Sequence, residues 1–245
     1  MKIIIHGLGR LGLAVAGLAS DGSVVGAVDT NAGKNPNYHV FGNLGDCDQT
    51  AADVIIDCSH ASAVGSLAEK AEIPLVICTT GMDGATISLI TEASQRIPVF
   101  MSANMSLGVN LQAGMASYAT KLLGNKGFDI EIIEAHHNQK LDAPSGTAMM
   151  LAESIKEASG GKLRYVYDRS QYMQKRGPDE IGISAIRGGT IVGEHTIIFA
   201  GHDEVIEITH RALSRDIFAK GALAAAEFVK DKPPGLYNMN DMLKS

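Results

Sequence analysis

The feature that most constrains this chain is an alternation in its first hundred residues. Apolar runs of strand length lie at Lys2–Ile5, Val24–Val28, Asp53–Asp57, Leu75–Cys78 and Pro98–Met101. Between several of them stand helix-like segments: Arg10–Ala19, Ser62–Glu72 and Ala85–Arg96. Strand, helix, strand at this spacing predicts parallel βαβ units, because parallel neighbours need a crossover. The runs are continuous rather than alternating, as expected when helices cover both faces of a sheet. Right-handed crossovers then fix the winding. The fold class is α/β, with an N-terminal doubly wound parallel sheet.

The pattern changes after about residue 104. A long helix is expected from Ser106 to Leu123, stopped by Gly124, then a strand over Phe128–Glu134. Ser145 reads as the cap of a helix running through Ala158 and closed by Gly160-Gly161. Strand signals follow at Ile181–Ile186, Thr190–Phe199 and Val205–Arg211, separated by Gly188-Gly189 and Gly201-His202-Asp203. Such turns suit antiparallel hairpins. This half reads as a C-terminal α+β domain on an open mixed sheet, one face of which a second subunit could cover. An alanine-rich helix, Asp216–Val229, ends before Pro233-Pro234 and could belong to either domain.

Composition removes several classes of function. Hydrophobic residues are 45% of the chain and net charge is −6, so disorder and whole-chain nucleic-acid binding are not expected. No apolar run reaches membrane-spanning length, and the short apolar start is no secretory signal. The three cysteines, Cys47, Cys58 and Cys78, form no C-x-x-C pair, so neither a disulfide framework nor a zinc site is expected. Buried strand-end thiols in a reducing cytoplasm fit best.

Gly7-Leu8-Gly9-Arg10-Leu11-Gly12 is a G-x-G-x-x-G turn that follows a strand and opens a helix. There the glycines permit a tight turn and a close backbone approach to a pyrophosphate, and the helix N-terminus favours its charge. Asp29 ends the second strand, 17 residues after Gly12, where a carboxylate can accept from an adenosine ribose. The N-terminal domain therefore reads as a Rossmann-type dinucleotide-binding domain. Asp29 opposes a 2′-phosphate and Thr30 stands where an arginine would help NADPH; Lys34 partly compensates, so both NADH and NADPH stay open. The polar loops Thr79-Thr80-Gly81 and Ala103-Asn104-Met105-Ser106 follow strands and are placed to touch the nicotinamide half.

The stretch Glu134–Thr147 delivers two histidines, then Lys140, then a Ser145-Gly146-Thr147 helix start. Histidine exchanges protons near neutral pH, lysine steadies developing negative charge, and helix-start N–H groups bind carboxylates. Together they suit an anionic substrate needing proton transfer. A metal is not expected, since adjacent His136 and His137 point apart on a strand. His195, His202 and His210 are read as hairpin or strand-surface residues.

The segment EAHHNQKLDAPSGTA, Glu134 to Ala148, resembles the signature of the 4-hydroxy-tetrahydrodipicolinate (dihydrodipicolinate) reductases. The likeness extends through CTTG at Cys78–Gly81, SANMSLGVN at Ser102–Asn110 and IRGGTIVGEHTIIFAG at Ile186–Gly201. It implies a dinucleotide-binding domain over residues 1–105, completed by 216–245, and a substrate and tetramerisation domain over 106–215, with hinges near Asn104–Ser106 and Ser214–Asp216. It implies hydride transfer from NADH or NADPH to a cyclic imine dicarboxylate, in a cytoplasmic homotetramer of lysine and diaminopimelate biosynthesis. By motif position His136 is the acid–base residue and Lys140 its proton-donating partner, while His137, Ser145, Gly146 and Thr147 contact substrate. Cofactor positions carried over are Gly7–Gly12, Asp29, Cys78, Thr79 and Thr80, and Ser102, Ala103, Asn104 and Met105. His6, Cys78 and Thr30 depart from the common pattern. Two rivals are a nucleotide-sensing module, which has no need of His136 and Lys140, and a semialdehyde dehydrogenase, which needs a reactive cysteine.

Overall fold

The computed structural model describes residues 1–30, 37–167, 169–171 and 173–245. The chain divides into two compact units, one of residues 1–107 with 216–245 and the other of residues 108–215.

In the first unit the early apolar runs form β1 (Ile3–His6), β2 (Val24–Val28), β3 (His39–Phe41), β4 (Val54–Asp57), β5 (Leu75–Ile77) and β6 (Pro98–Met101). Helices α1 (Arg10–Leu18), α2 (Ala61–Lys70) and α3 (Gly84–Ala93) connect them. Asp83 starts α3 by accepting from Thr86 N at 2.8 Å, a cap that contributes about 1 kcal/mol. Ile4, Ile55, Leu75 and Val99 face one side of the sheet; Ile3, Ile5, Ile56 and Phe100 face the other. Both sets are buried, which is why these strands lack the half-polar alternation of a one-sided sheet.

The second unit is built on α4 (Leu107–Leu123), which begins at its boundary, β7 (Asp129–His136) and α5 (Gly146–Ala158). Three further strands are β8 (Arg164–Val166), β9 (Glu180–Arg187) and β10 (Gly193–Ala200), followed by β11 (Val205–Ala212). Its sheet runs β11-β10-β7-β9-β8, with β7–β9 and β8–β9 parallel and the rest antiparallel. One face packs Ile130, Ile132, Ile183 and Phe199 against Ala116 of α4 and Leu151 and Ile155 of α5. At about 1.5–3 kcal/mol per fully buried large apolar side chain, this contact holds the helices to the sheet.

The expected hairpin at Gly188-Gly189 is corrected here. β9 and β10 do not pair; β7 lies between them. The glycine turn instead folds over the end of β7, with Gly188 N donating to His136 O and Asn138 N donating to Gly189 O. A glycine pair permits the sharp reversal, and tertiary pairing decides which strands it joins.

The chain then returns to the first unit through α6 (Asp216–Val229), β12 (Gly235–Tyr237) and α7 (Met239–Leu243). The first sheet runs β12-β6-β5-β4-β1-β2-β3, all parallel. α6 settles in this unit because its buried stripe is small: Ala219, Gly221, Ala222, Ala225 and Ala226. A Cβ on Gly221 would come within 1.7 Å of Met105 O, so only glycine allows this approach.

Candidate functional site

In the first unit, Gly7 takes φ +90, a backbone region that side chains disfavour. A Cβ there would meet the Ser59 backbone at 2.6 Å, and one on Gly12 would lie 1.9 Å from Gly7 O. A Cβ on Gly9 would meet nothing within 4 Å. Two glycines are thus needed by the protein itself, while the space beside Gly9, the residue that starts α1, stays open. Gly9 is the N-cap of α1 and brings no side-chain hydrogen bond to its first turn. Asp29 accepts from Leu8 N at 2.7 Å, so it braces the turn from the end of β2.

A cavity of about 490 Å³ lies against this turn, lined by Gly7, Gly9, Asp29, Thr30, Asn43 and Ser59 among others. These features fit a dinucleotide: an open glycine at a helix start, a carboxylate at the next strand end and a bounded cavity. Lys34 lies outside the described residues. Arg10 and Leu11 form the first turn of α1.

The buried Thr79 hydroxyl has no hydrogen-bond partner among the described residues, beside Thr80 at the carboxyl end of β5. Ser102 Oγ donates to Asn104 O, and Asn104 Oδ1 accepts from Ser106 N. Ala103 stands within this turn, whereas Met105 is buried in the core. Cys58 and Cys78 pack against that core, and Cys78 is pushed well up by its hydrogen bond with Cys58 and by burial. That environment disfavours a thiolate nucleophile. His6, the residue before the turn, pairs through Nδ1 with the buried Asp57 at 2.9 Å.

In the second unit, Glu134 and His136 stand two residues apart on β7 and so share the helix-covered face. Glu134 is fully buried. Its Oε2 lies 2.6 Å from His136 Nδ1. Arg187, paired with His136 across β7 and β9, donates to both Glu134 oxygens at 2.9 and 2.8 Å. Ser145 N donates to Oε1 at 3.0 Å. Burial opposes ionisation of Glu134, yet Arg187, His136 and Ser145 together hold its carboxyl below the usual range. Burial lowers the His136 imidazole below its ordinary value against the pull of Glu134, and Lys140 and Arg187 add to the fall.

His136 is therefore neutral near pH 7, with its proton on the nitrogen facing Glu134 and Nε2 presented as an acceptor. A Cβ on Gly193 would lie 3.2 Å from that Nε2, so the glycine leaves room at this nitrogen.

Around this pair, Lys140 Nζ bridges to Asp142 at 2.8 Å. His137 Nε2 lies 3.0 Å from Arg215. Ser145 Oγ accepts from Ala148 N as the cap of α5 and lies 3.0 Å from His195 Nε2. That hydroxyl is buried and engaged within the protein. A Cβ on Gly146 would meet nothing within 4 Å, and Thr147 follows it in the first turn. The structure thus gathers His136, Lys140, Ser145, Gly146 and Thr147 around the start of one helix.

Sequence reasoning overlooked Glu134, Arg187 and His195. His195 is corrected from a surface residue to a buried one, 4% exposed, its ring 5.2 Å from that of His136. It faces inward because the odd positions of β10 share the face of Ile197 and Phe199.

Comparison with known proteins places these features in context. Residues 1–105 match the family described as "Dihydrodipicolinate reductase, N-terminus", and residues 108–243 match "Dihydrodipicolinate reductase, C-terminus". The 4-hydroxy-tetrahydrodipicolinate reductase of Caldanaerobacter subterraneus subsp. tengcongensis is 47% identical over 100% of this chain and 98% of its own length. That of Staphylococcus carnosus is 46% identical over 99% of each chain. Among solved structures, a dipicolinate-bound dihydrodipicolinate reductase from Paenisporosarcina sp. TG-14 superposes with TM-score 0.81 at 23% identity, covering 98% of both chains.

Proposed function

The chain belongs to the dihydrodipicolinate reductase family, and on that premise we propose how its residues share the reaction. It is an oxidoreductase that reduces a cyclic conjugated imine dicarboxylate to tetrahydrodipicolinate, in lysine and diaminopimelate biosynthesis. The nicotinamide cofactor supplies hydride when bound. The Gly7–Gly12 turn and Asp29 would hold its pyrophosphate and adenosine ribose. Cys78–Thr80 and Ser102–Met105 would border its nicotinamide half, Met105 by its backbone.

In the second unit, one substrate carboxylate lies at the start of α5. Gly146 admits it, and Thr147 and the first-turn N–H groups donate to it. His137 and Lys140 add donors. Lys140 leaves Asp142 to meet the substrate and gives the proton that follows hydride addition. His136 works at Nε2 as the acid–base residue, and Ser145 acts by fixing the start of the helix.

The observation that carries this reading is the buried Glu134–His136 pair hydrogen-bonded to the N–H of Ser145. It joins a proton-transfer group to an anion cradle, which a nucleotide-sensing module has no use for. NADH serves at least as well as NADPH, because Asp29 opposes a 2′-phosphate and Thr30 brings no charge to offset it. The enzyme acts in the cytoplasm as a homotetramer.

The test is a coupled assay with synthase-generated substrate, following loss of nicotinamide absorbance with each cofactor. Turnover is expected with both, and His136→Gln is expected to lower kcat by about 10²–10⁴, the range for a lost general acid–base group. Near-full turnover in that variant would transfer the role to another residue. A preference for NADPH above about tenfold, roughly 1.4 kcal/mol, would overturn the cofactor reading.

A further inference from the structure

The ionic environment of Glu134 exceeds what a strand needs. A fully buried carboxylate accepts four hydrogen bonds: two from the Arg187 fork, one from the backbone of Ser145 and one from the ring of His136. Arg187 also donates to Asp142 O at 2.6 Å, in the segment between Lys140 and the helix start. Resting on the function proposed above, we propose that Glu134 and Arg187 form a positioning pair that fixes the tautomer and proton affinity of His136 and ties it to the carboxylate cradle.

The physical argument is one of opposed charges. Glu134 accepts at Nδ1 and so leaves Nε2 as the only ring nitrogen open to the reaction. Its negative charge favours a protonated ring, while the guanidinium on its far side disfavours one. Arg187 thus keeps the carboxylate from drawing a permanent proton onto His136. Other titratable groups face the ring from the elements packed around it. Lys140, paired with Asp142, approaches from the loop after β7, and His195 approaches from β10 with His210 behind it. Neither Lys140 nor His195 is hydrogen-bonded to Nδ1, so among the described residues it is Glu134 that sets which nitrogen carries the proton.

The pair makes a prediction of opposite signs. Glu134→Gln removes the negative charge and should lower the proton affinity of His136. Arg187→Met leaves that charge unopposed and should raise it. Both should lower kcat about tenfold or more, with little change in NADH affinity. Arg187→Lys restores the charge and should return the His136 midpoint toward wild type.

The measurement is deuterium exchange at the imidazole C2 position across pH, read by mass spectrometry of the full-length protein. Fragment ions separate His136 from His137. The pH profile of kcat/KM and fluorescence titration with NADH accompany it. Midpoints that stay in place, or move the same way in both charge-removing variants, would overturn the proposal, as would full kcat in Glu134→Gln. Should Glu134→Gln fail to fold, the Arg187 pair carries the test: a midpoint unmoved in Arg187→Met sinks it. A ring titration that shifts as expected while His136→Gln keeps full turnover would preserve the pairing and remove only the catalytic role.

Discussion

A buried histidine that stays neutral links stability to pH. Burial, reinforced by the charge of His136, pushes His195 down to about 4 from an ordinary 6.5. On unfolding the ring regains its ordinary value. Between those limits the unfolded chain binds a proton that the folded chain does not. The contribution is therefore complete above about pH 6.5 and is lost progressively as pH falls toward 4. A shift of this size corresponds to about 3 kcal/mol. Denaturant unfolding followed from pH 7.5 to 4.5 should show a falling midpoint, and His195→Gln should flatten that part of the slope. An unchanged slope in the variant would mean that other groups account for the acid sensitivity. At this scale the site was half legible. His136 and Lys140 announce themselves by residue type and by the Ser-Gly-Thr start behind them. Glu134 was within reach, since Glu-x-His on a strand puts both side chains on one face. Arg187 and His195 were not, because they reach His136 only through long-range strand pairing.

The start of α5 concentrates the chemistry that one element supplies. Ser145 caps it, Gly146 leaves it open, and Thr147 adds a hydroxyl in its first turn. Charge-assisted hydrogen bonds contribute about 1.5–3 kcal/mol each. Thr147→Val should therefore raise KM several-fold or more and leave NADH affinity alone. Pyridine-2,6-dicarboxylate should compete with substrate far better than the monocarboxylate. Steady-state kinetics with both inhibitors checks this; equal inhibition, or an unmoved KM, would leave the segment a plain helix cap. Long elements were readable here because their signals are local: apolar runs for the parallel strands, Ser145 and Gly160-Gly161 for the ends of α5. Of the three-residue strands, the central β5 was readable as an apolar run, but β3, β8 and β12 were not, and these three lie at sheet edges. Such strands owe their shape to a neighbour rather than to their own residues. The misread hairpin at Gly188-Gly189 has the same origin, since nothing local says that β7 separates β9 from β10.

At the scale of the molecule, no α-helix among the described residues of the second unit packs on one face of the second sheet. The strand register sets Ile133, Ala135, Ser184 and Ile186 on that face, with Thr196, Ile198 and Thr209 on the neighbouring strands. Ile133 is 37% exposed and Ile186 51% exposed, although both lie within long, well-paired strands. The same register adds Glu131, Glu194, Glu207 and Arg211 to that face, with Arg211 paired to Glu194 at 2.9 Å, so isoleucine, alanine and hydroxyl side chains stand there among charged ones, the apolar patch and polar rim of a surface that meets another chain. The proposed homotetramer would cover it, and specific interfaces of this kind bury about 1,200–2,000 Å². Ile133→Lys tests the idea with little cost to the protomer, because the side chain touches no helix-side core. Symmetry would bring lysines from like surfaces together in a desolvated contact, where like charges repel strongly. Sedimentation velocity should show the wild type at four chain masses and the variant at a smaller assembly, with the circular dichroism of the fold retained. A variant that stays tetrameric would place the subunit contact elsewhere, and a wild type that sediments as a monomer would leave this sheet face to solvent.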